Sequence, residues 1–438
     1  MTEPATHNRA APPPLDERRA IVAWAFYDWA NSAFATTVMA GFFPIFFKNV
    51  WSAGVDPTVS TARLGLVNSL AGVTVAILAP VLGAIADRGT ARKRFLACFA
   101  ILGTAATATL ALVPGGNWQQ AALLYGLGVL GFCGGNVFYD ALLTSVASGR
   151  RMDMISSLGY ALGYLGGGLL FAVNVYMTSY PAAFGLVSAE QAVRVSFASV
   201  GVWWALFTLP LLLLVREQHS PQNTTNVGQV VRGGLRQLRE TLRDLRQQRT
   251  LCLFLLAYWL YIDGVDTIVR MAVDYGMSIG FKSGDLVAAL LLTQFVGFPA
   301  AIGFGWLGNR IGARRAILLG LGVYLAVSIW GAFMHARHEF YILAGVIGLV
   351  QGGVQALSRS FYAKLIPPEK SAEYFGLYNM LGKFAVVLGP VLMGGVGLLV
   401  RAGGASADTA SRAGIASVAL LFAAGGALFW LATRERQG

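Results

Sequence analysis

Apolar residues in this chain come in runs of about twenty or more, bounded by short basic clusters, and that is the length a helix rising 1.5 Å per residue needs to cross a bilayer core. Runs near 21–48, 62–86, 94–113, 119–146, 153–178, 193–215, 249–275, 284–307, 314–334, 339–363, 374–400 and 411–432 make twelve spans in two sets of six. Only 12% of the 438 residues are charged and 56% are apolar, whereas soluble domains carry about a quarter charged, so a soluble globular fold is excluded. The expected fold is an all-α membrane protein with two pseudo-symmetric six-helix bundles, 21–215 and 249–432. Tails at 1–20 and 433–438 and a linker at 216–248 complete the layout. Glycine numbers 53, which in lipid reads as close helix packing, with Gly-x-x-x-Gly spacing at Gly159 and Gly163.

Cys98, Cys133 and Cys252 lie within apolar runs and are expected to be packed, reduced thiols. The stretch from Thr2 to Arg19 is polar and proline-rich, and the run after it exceeds signal-peptide length without a small-residue cleavage site. A tail followed by a retained helix is expected.

Orientation follows from the cations. Placing both termini inside puts 23 of the 33 Lys and Arg residues on the inner side and seven on the outer, so both termini are expected in the cytoplasm. The net charge of +12 is thereby topological: these cations sit beside anionic lipid, and no aromatic-interleaved patch or soluble domain suggests nucleic acid. Within the linker, Val227, Val231, Leu235, Leu238, Leu242 and Leu245 recur at helical spacing among Arg232, Arg236, Arg239, Arg243 and Arg246. That pattern fits an amphipathic helix on the inner membrane surface; a solvated basic linker is the alternative.

The halves read as copies. After the second span the chain has Gly83-Ala-Ile-Ala-Asp87-Arg88-Gly89-Thr-Ala-Arg92-Lys93-Arg94, and after the eighth Gly305-Trp-Leu-Gly-Asn309-Arg310-Ile-Gly312-Ala-Arg314-Arg315. Asn309 follows Asp87 by 222 residues, while Gly163 with Gly382 and Asp140 with Arg359 share an offset of 219. Parallel six-helix halves related about the membrane normal are a transporter architecture. The loop, Gly-x-x-x-Asp-Arg with a turn and a basic triplet, resembles that of the major facilitator superfamily, across the whole twelve-span layout. Here Gly89 comes one residue early and Asn309 replaces the acid in the second copy. Asp87 is placed to cap a helix end and pair with an arginine on the inner face, making Asp87, Arg88 and Arg92, with Asn309 and Arg310, gate candidates; the N-terminal copy is expected to be the stronger. If the basic residues merely set topology, Asp87 is left without a role.

Two stretches narrow the resemblance: Tyr27-Asp28-Trp29-Ala30-Asn31-Ser32-Ala33-Phe34 in the first span and Gln351-Gly-Gly-Val-Gln355-Ala-Leu-Ser358-Arg359-Ser360 in the tenth. Both resemble the vacuolar-effluxer family, autophagy-related permeases and their bacterial relatives, whose fungal members release amino acids from the vacuole. The resemblance implies amino-acid efflux, and the intramembrane cysteines with the cytoplasmic basic bias fit a bacterial inner (plasma) membrane; both are expectations for this chain.

An ionisable group at bilayer depth costs at least about 2.5 kcal/mol, so such residues face a cavity or find partners. The first span carries Asp28, Asn31 and Ser32 on one face, the fourth Asn136 and Asp140, the seventh Asp263, Asp266 and Arg270, the tenth Gln351, Gln355, Ser358 and Arg359, and the eleventh Asn379 and Lys383. The resemblance implies that the first, fourth, seventh and tenth spans line a central cavity flanked by the eleventh. Asp28, Asp140, Arg359 and Lys383 lie toward the cytoplasmic side, two acids from one half and two bases from the other. They make either a charge network that closes the inner side and is remade during transport, or a static bridge that orders packing. Asp263 and Asp266 lie deeper, with Arg270 nearer the outer face; proton coupling, binding of a substrate ammonium, and simple neutralisation by Arg270 all remain open. Asp28, Asn31, Asn136, Asp263, Asp266, Arg270, Gln351, Gln355 and Asn379 are therefore the substrate and coupling candidates, and Tyr27, Trp29, Tyr160, Tyr164, Trp259 and Tyr261 are aromatic neighbours that shape a pocket or pack.

No phosphate loop is present, since Gly382-Lys383 lies in a span before Phe384; ATP is not the expected energy source. His7, His219, His335 and His338 sit in the tail or loops away from any Cys cluster, so no metal site, enzymatic activity or cofactor is expected, a coupling proton aside. The fifth span has Gly166, Gly167 and Gly168 without the proline of drug antiporters. The chain is expected to carry a small polar solute by alternating access, as a monomer in the bilayer. A lipid or lysolipid flippase and a transport-inactive receptor or scaffold are the rivals.

Overall fold

The computed structural model describes residues 15–55, 57–89, 91–217, 227–245, 247–278, 283–334, 336–384 and 388–434, and every element among them is helical. The first half consists of α1 (Arg18–Trp51), α2 (Pro57–Gly89), α3 (Arg92–Leu112), α4 (Trp118–Val146), α5 (Met152–Ser179) and α6 (Ala189–Leu214). A linker helix α7 (Val227–Leu245) follows. The second half consists of α8 (Arg249–Ser278), α9 (Ser283–Ile311), α10 (Ala313–Phe333), α11 (Arg337–Ala363), α12 (Ser371–Phe384), α13 (Leu388–Ala402), α14 (Ala407–Ser417) and α15 (Ala419–Arg434). Among the described residues eleven segments are long and apolar enough to cross a membrane, and the eleventh of the twelve expected spans is carried by α12 and α13 together. Twelve crossings in two sets of six match the apolar runs because a backbone in hydrocarbon must bond within its own helix. Leu66, Ile77, Ile101, Leu206, Leu213, Leu319 and Leu398 stay exposed on the bundle surface, where lipid replaces water as solvent.

Two seams join the halves: α2 packs along α12, and α5 packs along α9 and α11. Small residues set the first seam. A methyl on Gly83 would overlap the backbone of Ala372 and come 2.8 Å from the Glu373 amide, and one on Gly376 would lie 2.6 Å from the Ala79 carbonyl. Pro80 lies within α2 and Pro299 within α9, the helices that carry the paired loop motifs. The outer half of α1 is wider than an α-helix: the Phe43 and Ser52 amides bond carbonyls five residues back, at Val38 and Phe47. Such turns often occur at functional sites. Cys133 is buried, whereas Cys98 is exposed on the surface of α3, contrary to its expected packing: its apolar run presents that position outward.

Candidate functional site

At the end where α1 begins, the inner end by the charge bias, the halves are tied through Arg359 of α11. Its guanidinium lies 3.0 Å from Asp140 of α4 and 3.5 Å from Asp28 of α1, and it donates to the Ser156 hydroxyl (2.9 Å) and carbonyl (2.8 Å) of α5. The rings of Trp24, Tyr139 and Tyr160 flank the same cation. Tyr139 donates to Asp28 (2.9 Å) and Asn379 of α12 donates to Asp140 (3.1 Å), so each acid also has a neutral donor. A cation buried this fully is tolerable only with such satisfaction. Gly159 clears the space: a methyl there would lie 2.6 Å from the Tyr139 hydroxyl and 3.0 Å from both Arg359 and Asp28.

Closer to the inner surface a second tie runs through the loop after α2. Asp87 accepts the amides of Ala372 (3.1 Å) and Glu373 (2.9 Å), two of the unpaired N–H groups that open α12, and pairs with Arg92 at 2.7 Å. Arg92 in turn donates to the carbonyls of Pro368 and Glu369. Asp153 of α5 accepts from Ser360 (2.6 Å) and pairs with Lys364 at 2.7 Å, and Ser156 donates to the Ala356 carbonyl. Apart from the Asp87–Arg92 pair, these bonds link one half to the other, so this end is closed.

The opposite end holds a cavity of about 500 Å³ between the outer half of α1 and the second half. Its polar lining is Thr36, Lys48, Asn49, Thr267, Thr293, Gln294, Ser328 and Gln351, and its walls are Leu, Ile, Val, Phe and Met side chains of α9, α10, α11, α13 and α14. Gln294 donates to Thr36 across the halves at 3.0 Å, while the buried Gln351 side-chain oxygen has no hydrogen-bond partner among the described residues. An outer cavity above a closed inner end is one of the two end states that alternating access requires.

Comparison with known proteins decides the family: the sequence pattern described as "Vacuole effluxer Atg22 like" matches residues 58–153 and 144–437. The chain belongs to that family. It is 38% identical over 373 residues to the Bacillus subtilis protein named "Uncharacterized MFS-type transporter YxiO", covering 85% of this chain and 86% of that one. Autophagy-related protein 22-1 of Penicillium rubens is 27% identical over 271 residues, covering 56% of this chain and 45% of the fungal protein. In three dimensions the human organic anion transporter MFSD10 superposes with a TM-score of 0.69 at 16% identity, over 96% of this chain and 100% of that chain. This Atg22-like chain is thus an integral membrane protein of the major facilitator fold and a secondary transporter.

In this Atg22-like chain the cluster brings together Asp28, Asp140, Arg359 and Asn379, and a separate contact joins Asn31 to Asn136 at 2.6 Å. The side chains of Arg270 and Lys383 lie outside the described residues. Of the substrate candidates, Gln351 alone lines the outer cavity among the described residues; Gln355 and Asp266 are half-buried. Asp263 is buried. Its two oxygens accept the amides of Leu388 (2.9 Å) and Gly389 (2.9 Å) and the Thr267 hydroxyl (3.2 Å), so it caps the start of α13. Asn309 and Arg310, equivalents of Asp87 and Arg88, are exposed, and Arg310 lies over Trp306 of its own helix; they do not form a second copy of the Asp87 tie. Arg88 donates to Gln237 of α7 (3.0 Å), which in turn donates to Glu373 of α12. Tyr160 touches the Arg359 cluster, whereas Tyr27, Trp29 and Tyr261 pack among other side chains.

Thr36, Gln294 and Lys48 escaped the sequence reading. Thr36 and Gln294 carry no charge to flag them, and Lys48 counted as an outer loop cation. The wide turns of α1 run through this face, with Gly41 and Pro44 on the cavity wall.

Proposed function

We propose that this chain moves a small amphipathic zwitterion of the amino-acid class across the membrane, in the effluxer direction, by alternating access. The observation that carries the reading is the closed Arg359 cluster beneath an open outer cavity with a polar floor and apolar walls. Gln351 and Gln294 suit the polar groups of such a cargo, and the Leu, Val and Phe walls suit an apolar side chain. The family resemblance to fungal vacuolar effluxers supports the amino-acid class. A proton is the candidate coupling ion, with Asp266 as the carboxylate that exchanges it, because the oxygens of Asp263 are taken up by α13. The working unit is the monomer, in a bacterial inner membrane with both termini cytoplasmic.

Purified protein in liposomes, assayed for counterflow of labelled leucine, phenylalanine and glutamate with and without an imposed proton gradient, tests this. Saturable counterflow of an apolar amino acid, together with net movement of the same amino acid driven by the gradient, is the expected result; no counterflow of any amino acid overturns it. The apolar walls favour a second reading, a lysolipid flippase. Translocation of a fluorescent lysophospholipid without amino-acid counterflow would select that one.

A further inference from the structure

The linker helix α7 presents three arcs with different chemistry. Its first arc, Gly233, Gln237 and Thr241, is polar and buried against the transporter. Gln237 accepts from Arg88 of α2 (3.0 Å) and donates to Glu373 of α12 (2.7 Å), while Lys370 reaches Thr241 at 3.4 Å. One side chain therefore bridges the two halves at the inner seam, beside the Asp87 tie, joining Arg88, the residue after Asp87, to Glu373, whose amide Asp87 accepts. Gly233 lets the Arg88 guanidinium lie flat on the helix, where a methyl would overlap it. On the next arc Leu235 and Leu242 are 49% and 43% exposed, with Leu238 half-buried beside them. The third arc carries Arg232, Arg236, Arg239 and Arg243, all exposed. At 3.6 residues per turn the leucine and arginine arcs adjoin each other, away from the docked arc.

Exposed leucines flanked by a row of arginines match the depth profile of an anionic leaflet, acyl chains beneath and phosphates above. We propose that α7 is an anionic-lipid-responsive latch: phospholipid of the inner leaflet holds its leucine and arginine arcs, and Gln237 transmits that hold to the Arg88–Glu373 seam, favouring the inner-closed state. Docked and lipid-facing arcs are separate, so the helix satisfies both at once when the seam is closed. When α2 and α12 part, Gln237 loses at least one partner, and lipid bound to the far side then resists that opening. The latch is independent of cargo and rests only on relative motion of the two halves.

The test uses the full chain in liposomes with spin labels at Arg150→Cys and Glu369→Cys, two exposed inner positions from opposite halves, and the native cysteines replaced. Exchanging phosphatidylcholine for phosphatidylglycerol should raise the ratio of short to long inner distances about fivefold or more, within the usual range of allosteric couplings. Replacing Arg232, Arg236, Arg239 and Arg243 together with Gln should return the ratio to its phosphatidylcholine value. Gln237→Ala should abolish the response while a label at Glu240→Cys still reports the helix on phosphatidylglycerol. A ratio indifferent to phosphatidylglycerol, a four-Gln variant that still responds, an unchanged response in Gln237→Ala, or an equal effect of inorganic phosphate on phosphatidylcholine liposomes each overturns the latch. Distances fixed in every lipid would instead sink the alternating-access reading itself.

Discussion

Asp140 and Arg359 stand 219 residues apart, at matching positions of the two sequence halves, and their side chains meet at 3.0 Å. Residues related by a pseudo-two-fold axis touch only near that axis. An acid in one copy and a base in the other convert a point of symmetry into an ion pair. Rotation of the halves about that region has to break it or carry it along, so the pair is placed to report and resist opening of the inner side.

Arg359→Gln should therefore act more strongly than either partner mutation. Removing one member of a buried pair costs about 3–5 kcal/mol, and Arg359→Gln leaves Asp28 and Asp140 facing each other without a cation. Asp140→Asn leaves Asp28 on the guanidinium at 3.5 Å. Inner-side distances measured by spin labels should shift to the open form by about two orders of magnitude in Arg359→Gln and by less in Asp140→Asn, with both proteins folded. Equal shifts would mean that the cluster is not centred on the arginine.

The seam of α2 with α12 makes a steric prediction. Gly83→Ala puts a methyl into the backbone of Ala372, and backbone gives way less easily than a side chain. Overpacking of this kind costs about 1–3 kcal/mol. It falls on the inner-closed state alone, because the contact lies between the halves. The expected outcome is a normally expressed protein with cysteine reagents admitted from the inner side about tenfold faster or more. Gly322→Ala, where a methyl meets open space, should change nothing.

Asp87 and Asn309 allow a matched comparison. Asp87→Ala removes the acceptor for two α12 amides and the partner of Arg92, and a lost cap costs about 0.5–2 kcal/mol before the ion pair is counted. Asn309→Ala alters an exposed side chain. Transport rates should fall several-fold in the first and remain at the wild-type level in the second.

The twelve spans and the Asp140–Arg359 meeting were readable from sequence for one reason: lipid penalises unbonded backbone and unpaired charge, so both leave long, unambiguous traces. Where that penalty is absent, the reading thinned out. The cap that Asp263 supplies leaves no trace in the sequence, because the amides it accepts lie 125 and 126 residues further on, with Gly389 allowing the approach. Thr36 and Gln294 carry no charge, and they meet across the halves at the cavity, where Gln294 donates to Thr36, a contact between α1 and α9 with no sequence signal. On α7 the conspicuous leucines and arginines drew attention to the membrane side, whereas the docked side is made by Gly233, Gln237 and Thr241, residues with no pattern of their own.

Gln351 has a hydrogen-bonding role open to cargo. Its buried side-chain oxygen has no hydrogen-bond partner among the described residues, and it lines the outer cavity. Gln351→Leu keeps the volume and removes the polar group. If that oxygen accepts from the substrate, the Km for counterflow should rise about tenfold, one lost hydrogen bond to a charged group, with the inner-side distances unchanged. An unchanged Km would place the cargo elsewhere in the cavity.

The carboxylates of α8 separate by function. Asp263 holds the first amides of α13, so Asp263→Leu leaves them unpaired beside a buried leucine, at about 1–3 kcal/mol for each orphaned group. Its signature is a lower melting temperature and loss of folded protein in detergent, with no selective change in gradient dependence. Asp266, half-buried one turn further along, caps nothing among the described residues. Asp266→Asn should keep the melting temperature and the counterflow rate, since exchange of cargo for cargo moves no net proton, while the net movement driven by an imposed proton gradient disappears. Measuring melting, counterflow and gradient-driven uptake on both variants distinguishes the assignments. If Asp263→Leu folds normally and loses only gradient-driven uptake, the roles given to these two acids are reversed.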